Sequence, residues 1–166
     1  MSSGKRIVEI PIEKKIQRIL ETRKMTVTTA ESCTGGLVAA TLVNADGISN
    51  VFKEGYITYS NEAKHKLLGV EEETLREFGA VSRETAKEMA EGAARAAGSD
   101  TAIAVTGIAG PGGGTKDKPV GLVYIACAFR DETIVKRCFF RGDRGSIRHQ
   151  TVREALQILY CRLLME

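Results

Sequence analysis

Ser32 lies in the run Ala30-Glu31-Ser32-Cys33-Thr34-Gly35-Gly36, where a β-branched apolar stretch gives way to a helix-like one. A serine at such a turn stands at the crevice where open α/β sheets bind ligands. Two glycines let the backbone approach a substrate, and free N–H groups at a helix start can stabilise a negative oxygen. Ser32 is therefore a candidate nucleophile, with Thr34, Gly35 and Gly36 around it as candidate substrate-binding and oxyanion-holding positions. The same residues would also serve an ordinary capped helix, since Ser and Thr are common caps.

A base for that serine is found in Gly55-Tyr56-Ile57-Thr58-Tyr59-Ser60-Asn61-Glu62-Ala63-Lys64. If Asn61 caps the helix that follows, Lys64 is its third residue, where the positive end of the macrodipole opposes a cation. That field, with partial burial, would lower the amine's pKa so that it could take a proton from a serine hydroxyl. Tyr59 can relay a proton or orient the amine. The competing reading is an exposed lysine paired with a neighbouring glutamate. Cys33 is a rival nucleophile, because it too sits near a helix start where thiolate is favoured. Strand alternation should point it away from Ser32.

Two further segments suit an anionic ligand. Thr106-Gly107-Ile108-Ala109-Gly110-Pro111-Gly112-Gly113-Gly114 can form a nest of backbone N–H groups. It matches neither the phosphate loop ending in Gly-Lys-Ser/Thr nor the dinucleotide fingerprint, and a plain surface loop is the alternative. Arg141-Gly142-Asp143-Arg144 opens the last helix, where arginine forks match phosphate oxygens. Arg144 is the favoured phosphate holder there and Arg148 the second choice; a solvated basic surface would look the same.

The elements that must position these residues alternate. A helix is expected from Pro11, a strand over Thr26–Ala30, a helix over Gly35–Val43 and a strand over Val51–Ser60. A helix then ends at Gly69, and another turn or two spans Glu72–Phe78. Ser82 can cap a longer helix with a buried stripe of Ala86, Met89, Ala90, Ala93 and Ala97. A strand over Thr101–Thr106 leads into the glycine loop. Val120–Phe129 and Thr133–Phe140 read as a hairpin, and Val152, Ala155, Leu156, Leu159 and Leu163 as one face of a final helix. Helices alternating with strands imply a mixed sheet covered on both faces. Residues 1–10 read as a loosely held tail and 11–166 as one domain.

Composition narrows the function classes. With 166 residues, 43% hydrophobic and 27% charged, the chain is an ordinary globular one. A net charge of +3 does not argue for nucleic acid. Between Lys136 and Arg153, however, six cations face only Asp143, which suits a small anionic ligand. Four scattered cysteines without a C-x-x-C pair fit a reducing compartment. His65 and His149 have no metal-ligand spacing. No run reaches membrane-spanning length and no signal-peptide core is seen, so a cytoplasmic location is expected.

Taken in order, Ala-Glu-Ser-Cys-Thr-Gly-Gly (30–36), Thr-Tyr-Ser-Asn-Glu-Ala-Lys (58–64), Gly-Ala-Val-Ser (79–82), Thr-Gly-Ile-Ala-Gly-Pro-x-Gly-Gly (106–114), Lys-Pro-Val-Gly (118–121) and Gly-Asp-Arg (142–144) resemble the CinA C-terminal domain family. The likeness covers about residues 12–164. It implies a three-layer α/β/α sandwich around a mixed, mostly parallel sheet of about five strands. It implies hydrolysis of nicotinamide mononucleotide to nicotinate mononucleotide and ammonia, as in the family's stand-alone nicotinamide-nucleotide amidases. By that likeness Ser32 is the nucleophile, Lys64 the base and Tyr59 an assisting hydroxyl, with no metal or organic cofactor and a homodimeric assembly. The N-terminal domain of longer members, and any pyrophosphatase activity located there, is expected to be absent. A noncatalytic nucleotide-binding or competence-linked interaction module is the reading from another class.

Overall fold

A computed structural model describes residues 9–165; of the expected tail, residues 1–8 lie outside the described part. The elements run α1 (Ile12–Arg23), β1 (Val27–Glu31), α2 (Leu37–Leu42), a 3-10 turn (Ile48–Asn50), β2 (Phe52–Ile57), α3 (Asn61–Leu68), α4 (Glu72–Glu77), α5 (Arg83–Ala97), β3 (Thr101–Gly107), β4 (Leu122–Phe129), β5 (Glu132–Phe139) and α6 (Arg144–Leu164). The sheet order is β2-β1-β3-β4-β5. β1 pairs in parallel with β2 and β3, whereas β4 runs antiparallel to both β3 and β5. All strands but β4 therefore point the same way, and the expected mixed, mostly parallel α/β sandwich is what the chain forms.

The two sheet faces are built from different residue sizes. One face carries a row of alanines, Ala30, Ala102, Ala104, Ala126 and Ala128, with Ala104 opposite both Ala30 and Ala126. Small side chains there let α5 lie close with its own small stripe of Ala86, Ala90 and Ala93 around Met89. Ala97, expected in that stripe, is only half-buried, because α5 ends there at its left-handed cap Gly98. The opposite face carries Val27, Ile103, Val105, Val123, Ile125, Cys127 and Phe129, and α1, α2 and α6 cover it. Each such side chain, fully buried, stabilises the fold by about 1.5–3 kcal/mol before entropy is counted. Strand period 2 thus separates large from small, and the sheet receives helices at two depths.

This topology fixes where a site can form. From β1 the chain goes first to β2 on one side and later to β3 on the other, so the strand order reverses at β1. Crevices outside the carboxyl ends of strands at such a reversal are where open α/β sheets bind ligands. Ser32 N–H donates to Val105 O at 3.0 Å and Thr58 N–H to Glu31 O at 2.8 Å. Those bonds hold the ends of β1, β2 and β3 level, bringing Ser32, Thr58 and Thr106 to one edge.

Candidate active site

The Ser32 turn is shaped by glycine and by a buried acid. Gly35 and Gly36 both have positive φ, +58° and +101°, a conformation that L side chains rarely adopt. α2 consequently starts at Leu37 rather than at Gly35 as the sequence suggested. No side chain at the cap position satisfies its first amides. Glu31 does so from the end of β1. Its Oε2 accepts from the Thr34 hydroxyl (2.6 Å), the Gly36 N–H (3.0 Å) and the Val38 N–H (3.0 Å), and its Oε1 from the Ala39 N–H (2.8 Å). Glu31 is 1% exposed and Thr34 fully buried. From the other side Arg148 donates to Cys33 O (3.1 Å) and Thr34 O (2.9 Å).

Lys64 reaches this turn from α3. Ser60, not Asn61, caps that helix: its backbone is extended and its hydroxyl accepts from Ala63 N–H at 3.1 Å. Lys64 is therefore the fourth helical residue rather than the third, one step further from the free amides. Its side chain turns inward and is 1% exposed. Nζ donates to Ser32 Oγ at 3.1 Å and to Thr58 O at 2.8 Å. Burial pushes the amine down from 10.5 to about 8, against a smaller upward pull from Cys33. Desolvation is thus the main cause, and the amine's bonds given above go to a hydroxyl and a carbonyl. Ser32 is half-buried and so remains approachable.

The other expected residues fall into two groups. Tyr59 is 61% exposed, and its hydroxyl accepts from Arg144 Nη2 at 2.9 Å rather than meeting Lys64. Arg144 Nη1 donates to Gly110 O at 2.8 Å, so one guanidinium joins Tyr59 to the glycine loop. Arg144 and Arg148 are four apart on α6 and share a helix face. That face meets the loop, Tyr59 and the Ser32 turn together. Thr106 is instead buried in the frame, its hydroxyl donating to Ala80 O at 2.7 Å. Gly107 is required where β3 meets β4: a Cβ there would lie 2.6 Å from Val123. Burial raises the Cys33 thiol to about 11, which disfavours the thiolate that a cysteine nucleophile needs.

Sequence reasoning passed over Glu31 and gave Arg148 a different task. The available signal was an acid at a strand's end, with a threonine three residues on and a helix lacking its own cap five to six residues on. Two open clefts of about 540 and 550 Å³ lie elsewhere, one lined by His65, Glu72 and Arg76, the other by Phe140 and Arg153, and neither includes Ser32 or Lys64. Among the described residues, no cluster of three or more His, Cys, Asp or Glu could hold a metal, and no helix is long and apolar enough to cross a membrane.

The model of the CinA C-terminal domain matches residues 9–163. A Clostridium perfringens protein named for competence-damage induction is 55% identical over 151 residues, covering 91% of this chain and 37% of that relative. A CinA-like protein of Kosmotoga olearia is 52% identical over 156 residues, 94% of this chain and 38% of the relative. The chain thus spans well under half the length of these relatives. Among solved structures, a CinA superfamily protein of Klebsiella pneumoniae superposes with a TM-score of 0.89 at 39% identity, covering 93% of this chain and 97% of that one. The competence/damage inducible protein CihA of Agrobacterium tumefaciens gives 0.86 at 45% identity, covering 93% and 98%.

Proposed function

The chain belongs to the CinA C-terminal domain family, and from that membership and the Ser32–Lys64 pair we propose that it is a serine amidohydrolase deamidating nicotinamide mononucleotide to nicotinate mononucleotide and ammonia. The observation that carries the reading is the 3.1 Å contact between Ser32 Oγ and a buried Lys64 amine that burial brings down to about 8. In its neutral form the amine accepts the Ser32 proton as Oγ attacks the carboxamide carbon. The lysinium then protonates the departing nitrogen, the C–N bond breaks and ammonia leaves an ester on Ser32. Water, deprotonated by the same amine, hydrolyses that ester to the carboxylate and frees Ser32.

The Gly35 and Gly36 amides already donate to Ser32 O and Glu31. The Cys33 and Thr34 amides are the oxyanion donors in this scheme, each worth about 3 kcal/mol. Arg144, between the glycine loop and Tyr59, is the proposed ribose-phosphate contact. Its bond to Tyr59 gives that tyrosine a substrate-side task.

The relatives' names speak of competence and damage rather than of a reaction, which favours a noncatalytic binding module as the second reading. One experiment separates the two. Purified protein is incubated with nicotinamide mononucleotide, ammonia is measured, and binding is followed by calorimetry beside Ser32→Ala. Ammonia release abolished by Ser32→Ala supports the amidase. Tight binding with no ammonia from the unaltered protein supports the module.

A further inference from the structure

Resting on the amidase reading, we infer that Glu31 is a positioning residue for Ser32, an internal carboxylate that locks the nucleophile's turn in the orientation facing Lys64. The residue directly before the nucleophile folds its carboxylate back under the turn and takes up one hydroxyl and three backbone N–H groups within 3.0 Å. A carboxylate has about four lone-pair sites, and this one takes four donors, three of them crowded on Oε2 and one on Oε1. A carboxyl that lost its charge, or an amide in its place, would present a donor to at least one of these N–H groups.

The arrangement constrains the turn from both polarities. Glu31 fixes the N–H groups of Gly36, Val38 and Ala39, while Arg148 fixes the carbonyls of Cys33 and Thr34. Ser32 sits between these anchors, with its own N–H on Val105 O and its carbonyl accepting from Gly35 N–H. The backbone on both sides of Oγ is thereby held, although the turn contains two glycines with positive φ. Glycine freedom that would blur the aim of the hydroxyl is removed by a charge within the same turn.

The test is Glu31→Gln in the full chain, which keeps size and one acceptor but turns an NH2 toward the cluster. Kinetics are read well below the melting temperature, with the folded fraction checked by circular dichroism. A displacement of about 1 Å at the nucleophile costs on the order of 100-fold in turnover. Positioning therefore predicts a kcat loss near that size, KM changed less than about threefold, and the pH midpoint of the Lys64 limb unmoved. A crystal structure of the variant should show the Oγ–Nζ separation opened beyond hydrogen-bond reach. Full kcat with the turn unmoved overturns the inference. If the unaltered protein releases no ammonia, the amidase reading fails, while the variant's Oγ–Nζ distance still decides whether Glu31 positions Ser32. Should Glu31→Gln not fold, Thr34→Val removes one of the four donors and should lower kcat by about three- to tenfold at constant KM. An unchanged kcat there refutes the inference too.

Discussion

If Lys64 is the base, activity must titrate with its amine, and the structure sets where. Burial lowers that amine from 10.5 to about 8. At pH 7 a group with pKa near 8 is neutral in roughly one molecule in eleven, against roughly one in three thousand for an ordinary lysine. Burial thus raises the competent fraction by about 300-fold, equivalent to about 3 kcal/mol. The assay is ammonia release from nicotinamide mononucleotide between pH 6 and 10 at constant ionic strength. Because kcat/KM reports groups of the free enzyme, its logarithm should climb with unit slope and flatten above about pH 8. A flat profile from pH 6 to 9 would refute the assignment, as would a limb still climbing toward 10.5. A limb that disappears on replacing His65 or His149 would transfer the role to an imidazole.

The same burial makes Lys64 a cost to the fold. Since its folded pKa lies below the unfolded one, the unfolded chain binds more protons between about pH 8 and 10.5, and stability should rise with pH across that window. Lys64→Met should therefore abolish turnover yet stabilise the protein by about 1–3 kcal/mol at pH 7, an advantage that shrinks by pH 10.5, measured by urea denaturation. Cys33→Ala should keep turnover within about twofold, and iodoacetamide at pH 7 should leave the unaltered protein active, because the thiol is buried and raised to about 11. Gly92→Ala would place a Cβ 1.9 Å from Leu68 O, prising α5 from the end of α3; a destabilisation of about 1–3 kcal/mol, seen as a lower Tm, is expected. Arg144→Ala breaks the link between Tyr59 and Gly110 and should raise KM for the mononucleotide about tenfold with a smaller change in kcat.

What the amino-acid order determined by itself is local and periodic. The apolar and β-branched runs, the Ser82 cap and the glycine stop at Gly69 depend on neighbours a few residues apart, and those elements are present to within a few residues of expectation. The choice of Ser60 over Asn61 as a cap was the kind of one-residue ambiguity that two adjacent cap-formers leave, and the extended backbone at Ser60 with its hydroxyl on Ala63 N–H resolved it. Ser32 and Lys64 were nominated by residue type, turn context and family likeness, but their 3.1 Å contact bridges 32 positions. It exists because β1 and β2 are neighbours and the start of α3 folds back over their ends. Nor does local pattern reveal that Glu31 turns under its own loop, that Arg148 closes on the carbonyls beside Ser32, or that Tyr59 meets Arg144. Those pairings depend on which helices share a face of the sheet, and full burial, more than the helix-end field the sequence suggested, is what lowers the amine's pKa.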